Sequence, residues 1–178
     1  MRPLLLALAA WLLLGCSVDP CYNPMYCPGD GPDADTWQLD HLKSTLVIDP
    51  VLEPDEVDAV LAAAAAWEAA LPGRIHIEFV FLAADESVAN RSVVRRAWPR
   101  DHFADTWLAT TDGSRIALSE QLRAHDYMGP ALVHEFGHYF GLGHETDSSD
   151  IMFPATTDHM PTGPTPKALA DLDALYSW

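Results

Sequence analysis

Two histidines four residues apart, a third six residues further on and a glycine between them constrain this chain more than any other feature. The run His134-Glu135-Phe136-Gly137-His138-Tyr139-Phe140-Gly141-Leu142-Gly143-His144 reads H-E-x-x-H-x-x-G-x-x-H. On a helix, His134 and His138 leave the same face about one turn apart, so a single rigid element offers two nitrogens to one ion. Glu135 is displaced by about 100°, where its carboxylate can reach a water at the metal without ligating the ion. The chain must then leave the helix axis to bring round a third nitrogen, and Gly141 permits the positive φ that a sharp helix exit needs. His144 is the expected third ligand. Three protein ligands leave one tetrahedral position open, as in a catalytic rather than a structural zinc site. The bland alternative, a helix with scattered polar residues, does not account for the spacing.

This long motif resembles that of the metzincin clan of zinc endopeptidases. A second segment agrees with it: eight residues past His144 stands Met152, inside Asp150-Ile151-Met152-Phe153-Pro154, which resembles the Met-turn beneath the zinc in that clan. Alone, such a methionine would read as core packing. Within the clan the likeness is to matrixins, which usually carry Met-Tyr-Pro where this chain has Met152-Phe153-Pro154. Glu145 is more like the astacins, yet Pro154 stands where astacins and serralysins place a zinc-binding tyrosine. No Pro-Arg-Cys-Gly-Val type latency segment is found upstream.

The resemblance implies an α+β, metzincin-like zincin fold. A twisted mixed β-sheet with two main helices would form an upper subdomain, above a loop-rich lower subdomain ending in a C-terminal helix. It also implies a zinc metalloendopeptidase, with zinc on His134, His138 and His144, Glu135 as general base and then acid, and Met152 as a floor of packing only. A peptide substrate would lie extended along an edge strand, for which Trp107 to Thr111 is the candidate, and Pro154 to Thr157 would wall the main specificity pocket. Calcium is allowed for by the same likeness, without named ligands.

The N-terminus carries a targeting signal. Arg2 gives a positive start and Leu4 to Leu14 is unbroken apolar, too short to span a bilayer. Leu13-Leu14-Gly15-Cys16 resembles a bacterial lipobox, which implies a signal peptide over residues 1–15, a lipid on Cys16 and, from Ser17, sorting to the outer membrane. An ordinary signal peptide cut slightly later, or a buried apolar helix, are the rival readings. Lipidation of Cys16 would leave Cys21 and Cys27 as an even pair in an oxidising compartment, free to close a small local disulfide; a thiol that blocks the metal is the competing idea. Residues 16–43 are rich in Pro, Gly and Asp and read as a flexible tether, with the catalytic domain over 44–178.

The whole chain has 10 basic and 26 acidic side chains, a formal charge of −16. Such an excess argues against nucleic-acid binding and for a solvated surface. The family resemblance implies a protein or peptide substrate as partner, the lipobox likeness implies the membrane through an N-terminal lipid, and the enzyme itself is expected to be a monomer. Arg91, Arg95, Arg96 and Arg100 form the one basic cluster and read as solvated. His41, His76, His102, His125 and His159 read as surface or satisfied histidines.

Periodicity places the elements. Thr45 to Ile48 reads as a strand, and Pro54 opens a helix to about Ala70 with Val57, Val60, Leu61, Ala64 and Trp67 on one stripe. Arg74 to Leu82 alternates as a strand with Ile75, Ile77, Phe79 and Phe81 on its apolar face. Val93-Val94 is a weaker strand, and Trp107 to Thr111 and Ser114 to Ser119 read as two strands about Asp112-Gly113. The metal helix starts at Gly129-Pro130 with Pro130 at its first position, and a last helix runs from about Lys167 to Tyr176, capped by Thr165 with Pro166 at its first position. The rival class is a surface lipoprotein that binds zinc or a partner without catalysis; the intact Glu135 argues against it, since pure binding needs no base beside the metal.

Overall fold

A computed structural model of the chain describes residues 42–83, 86, 92–96, 109–112, 114–124, 126–155 and 159–178. The expected signal peptide, Cys16, Cys21 and Cys27, nearly all of the tether, Trp107, Arg91, Arg100, His41, His102 and His125 lie outside the described residues.

Five strands, β1 (Lys43–Ile48), β2 (His76–Phe81), β3 (Val93–Arg96), β4 (Ala109–Asp112) and β5 (Arg115–Leu118), form one sheet in the order β2-β1-β3-β5-β4. β1 pairs in parallel with β2 and β3, and β3 in parallel with β5, whereas β4 runs antiparallel to β5 at the edge. Between β1 and β2 the chain crosses over through helix α1 (Pro54–Ala70). A parallel pair requires such a crossover, because its strands cannot be joined by a tight turn. α1 begins cleanly, with Pro54 in the first turn and the Glu53 backbone N–H donating to Glu56 Oε2 at 2.8 Å.

Alternation decides which side of the sheet is covered. Leu46, Ile48, Ile77, Val94, Ile116 and Leu118 point to one face and join a single core with Val60, Ala63, Ala64 and Trp67 of α1. Leu132, Val133, Phe136 and Tyr139 of the second helix, α2 (Met128–Tyr139), belong to the same core. The two helices are locked where Trp67, fully buried, donates its indole N–H to the Val133 carbonyl at 2.9 Å and meets Phe140 edge-on at 5.6 Å. That carries the core beneath the histidine run. A smaller cluster of Val47, Leu82 and Val93 lies on the other face.

Past Gly141, the described residues up to Thr165 hold neither helix nor strand; the chain then enters α3 (Pro166–Tyr176). Thr165 caps α3 by accepting from the Ala168 N–H, as expected. α3 is tied back by the Tyr176 hydroxyl, which donates to the Phe140 carbonyl at 2.8 Å, and by Arg74, which pairs with Asp173 at 2.9 Å and lies over the Trp178 ring. The mixed sheet, two main helices, loop-rich lower part and closing helix fit the expected architecture. Among the described residues no helix is long and apolar enough to cross a membrane.

Three local expectations are corrected. α2 starts at Met128, so Pro130 falls at the third helical position; its missing N–H is harmless there because the first-turn N–H groups have no helical acceptor. β2 is an edge strand, so Phe81, expected on the covered face, is 58% exposed at the end of the sheet. Arg95 and Arg96 are not solvated, since they belong to central strand β3: Arg95 is buried, and Arg96 pairs at 2.5 Å with the fully buried Glu56 at the start of α1.

Candidate metal centre

α2 presents His134 and His138 from one face, with ring centroids 4.6 Å apart. The helix then ends in a way its sequence dictates. Gly141 takes φ +98°, its N–H reaches the His138 carbonyl and the Leu142 N–H reaches the Gly137 carbonyl, both at 2.9 Å. This pair of bonds is a Schellman closure, which needs a left-handed residue at that position and therefore favours glycine. The reversal turns the chain back across the end of α2 and brings the His144 ring to 4.7 Å from that of His138 and 5.4 Å from that of His134. One ligand atom from each of the three histidines lies within 4.8 Å of the others, the single such group of His, Cys, Asp or Glu among the described residues. No comparable acidic cluster for calcium is therefore present in those residues.

The outer nitrogens are already committed. His134 Nδ1 stands 2.7 Å from the Ile151 carbonyl and His138 Nδ1 2.8 Å from the Leu142 carbonyl. A carbonyl can only accept, so each Nδ1 must carry the proton and each Nε2 is left with a lone pair facing inward. His138 Nε2 and His144 Nε2 approach to 3.1 Å, a separation suited to two donors sharing one ion. Burial keeps these rings neutral: it draws His134 down to about 4, places His138 well below its ordinary value with help from the neighbouring histidines, and lowers His144 too. A neutral imidazole is the ligating form, so the set fits a divalent ion of the zinc type.

Glu135 is buried on the neighbouring face of α2, and burial raises its carboxyl to about 7 against the lowering effect of a Thr111 hydrogen bond. The Thr111 hydroxyl, on β4, stands 2.6 Å from Glu135 Oε2 and 3.0 Å from the Glu135 carbonyl. Met152, almost fully buried, lies directly under α2 at Gly137, where an added Cβ would meet its sulfur at 2.3 Å. Its loop is shaped by buried Asp150, which accepts the Met152 N–H at 2.8 Å through Oδ1 and the Thr165 hydroxyl through Oδ2. Glu145 and Met152 also join across the loop, N–H to carbonyl, at 2.9 Å.

All of His134, Glu135, His138, His144 and Met152 are thus gathered about the C-terminal half of α2, with only His144 exposed. Of the remaining histidines, His76 is exposed beside Glu68 and His159 is exposed. Sequence reasoning did not find the carbonyls of Leu142 and Ile151, because a backbone acceptor has no letter. It also passed over Asp150 and Thr111 as partners. Gly137 did carry a signal: a glycine inside a helix costs about 1 kcal/mol relative to alanine, which points to a close approach there.

Comparison with known proteins agrees with this geometry. A family model described as Matrixin matches residues 51–176. Among solved structures the chain is similar to archaemetzincin from Methanopyrus kandleri, with 16% identity, a TM-score of 0.54, and coverage of 78% of this chain and 97% of that one. At that identity the likeness concerns the fold. No curated protein sequence matches.

Proposed function

The chain belongs to the matrixin family of zinc metalloproteases, and from that premise we propose that it is an endopeptidase whose zinc is held by His134, His138 and His144 and whose proton carrier is Glu135. The observation that carries this reading is the pair of Nδ1 contacts to Ile151 and Leu142, which leaves two Nε2 lone pairs converging with His144 beside a buried carboxylate. Bound zinc supplies a Lewis acid that activates water and steadies negative charge on the peptide carbonyl oxygen.

The protein's own groups do the rest. Glu135 takes the proton of the attacking water and then hands it to the leaving amine, so one carboxylate acts as base and as acid. Burial, which raises that carboxyl above its ordinary value in the metal-free protein, favours holding the proton between the two halves of the transfer. β4 lies against α2 through the Thr111 contacts and pairs on one side with β5, so its other side can align an extended peptide by main-chain hydrogen bonds. Met152 packs under the ligand helix without taking part in proton transfer. Pro154 and Ala155, both exposed after the Met152 loop, start the segment proposed to border the specificity pocket.

Export and anchoring form part of the same proposal. The apolar run Leu4 to Leu14 followed by Gly15-Cys16 supports removal of residues 1–15 and lipidation of Cys16, with Cys21 and Cys27 available for a disulfide in the tether. An outer-membrane lipoprotein enzyme is the location proposed. Labelled fatty acid should enter the wild-type protein and not Cys16→Ala; equal labelling of both would remove the anchor.

A casein or labelled-gelatin assay tests the activity. Glu135→Ala should lose about 10²- to 10⁴-fold in kcat with its zinc content unchanged. Equal turnover by both proteins would remove the role of Glu135, and stoichiometric zinc without turnover in the wild type would favour a binding lipoprotein.

A further inference from the structure

We infer that Thr111 is a positioning residue for Glu135: its hydroxyl, projecting from the edge strand, holds the carboxylate in the orientation that proton transfer requires. The inference rests on the peptidase reading and deepens it. A glutamate has three side-chain torsions, and burial alone does not choose among its rotamers. Among the described residues the hydrogen bond to the Glu135 carboxylate comes from Thr111, at 2.6 Å, across elements 24 residues apart in sequence. The same oxygen lies 3.0 Å from the Glu135 backbone carbonyl, so both ends of one residue are gripped from one point.

A hydroxyl donor suits a group that gains and loses a proton on its far oxygen. With Glu135 ionised, the Thr111 proton goes to Oε2. When the other carboxyl oxygen, Oε1, holds the proton taken from water, Oε2 still accepts from the Thr111 hydroxyl, and the proton stays where it can be handed to the amine. Either way, a partner is in place without a change of rotamer. β4 is also the strand proposed to align the substrate, so the residue that fixes the base sits on the element that fixes the peptide.

Thr111→Val keeps the branched shape that suits a strand and removes the hydroxyl; Thr111→Ser keeps the hydroxyl; Thr111→Ala stands in if the valine variant folds poorly. The expected result is a fall in kcat of about 10- to 100-fold for the valine or alanine variant, with KM within about twofold and zinc content unchanged, and recovery to within a few-fold of wild type in the serine variant. A crystal structure of Thr111→Val should show the Glu135 carboxylate displaced, and that of Thr111→Ser should show it in place. Unchanged kcat in the valine variant overturns the inference, as does a rise in KM with kcat intact, which would make Thr111 only a tether for β4. If the wild type itself turns over no peptide, the peptidase reading fails separately, and an unmoved carboxylate in the Thr111→Val structure still overturns the positioning role.

Discussion

The sheet with its two helices and the loop that follows Gly141 meet at the same three histidines, yet they are held by different means. On the sheet side, Leu46, Val94, Ile116, Val60, Trp67 and Phe136 are all buried to 0% exposure, and parallel and antiparallel ladders satisfy the backbone. Burial of that kind is non-directional and sums over many atoms. On the loop side, Leu142, Ile151 and Met152 join the same core, but the path of the chain between them is set by a few directed bonds: Nδ1 of His134 and His138 to carbonyls, Glu145 to Met152, and Asp150 to Met152 and Thr165. The first region supplies rigidity. The second supplies the third ligand and the floor, and each of its contacts can be removed singly.

The largest effect should come from the sheet side. Trp67→Ala removes a fully buried ring and its bond to Val133, and should cost about 3–5 kcal/mol of unfolding free energy by chemical denaturation. A loss under about 1 kcal/mol would show that α1 and α2 are not one packed unit.

Gly137→Ala probes the boundary itself. Its Cβ would meet the Met152 sulfur at 2.3 Å and the Trp67 ring at 3.4 Å, so Met152 must move although it is enclosed. We expect about 1–3 kcal/mol of destabilisation together with weaker zinc retention against a chelator. Gly137→Ala with Met152→Ala should recover part of the stability; no recovery would separate Gly137 from the floor.

The pH dependence of the metal-free protein tests how the boundary is charged. His134, ordinarily 6.5 and here about 4, is neutral in the fold and takes up a proton on unfolding below pH 6.5. Glu135, ordinarily 4.5 and here about 7, releases one on unfolding above pH 4.5, so between those limits the two offset each other. His138 has no such counterweight. Its folded pKa lies well below 6.5 and that of His144 is lowered too, so the unfolded chain binds the extra protons and stability falls as pH drops below about 6.5, by at most about 1.4 kcal/mol per unit for each ring. Melting temperatures of the chelated protein between pH 7 and 5 should therefore decrease; a rise would mean that the carboxyl dominates.

The smallest effect is expected at the far end of the loop. Thr165→Ala removes the cap of α3 and one acceptor-bound hydroxyl from Asp150, and should cost about 1 kcal/mol. A loss rivalling that of Trp67→Ala would dissolve the distinction between the two regions.

Much of the fold could be read ahead of the coordinates where one signal repeated. The stripe of Val60, Ala64 and Trp67 located α1, Asp112 marked the end of β4, and Thr165-Pro166 marked the start of α3. Where a residue's setting depended on neighbours distant in sequence, the reading failed. Arg95 and Arg96 look like surface charge until β3 is placed between β1 and β5, and Phe81 looks covered until β2 is found at the edge. Pro130 was displaced within its helix because the first turn imposes no N–H requirement.

By itself the sequence determined that His134 and His138 share a helix face, that the helix must end at Gly141, and that His144 follows within reach, because these follow from helical periodicity and from the φ that only glycine adopts freely. Only the tertiary structure decided which nitrogen of each ring points inward, where the Glu135 carboxylate is held, and why Gly137 has no side chain. Those depend on carbonyls, a hydroxyl and a sulfur brought from Leu142, Ile151, Thr111 and Met152, groups whose positions are set by packing between elements rather than by the order of residues within one.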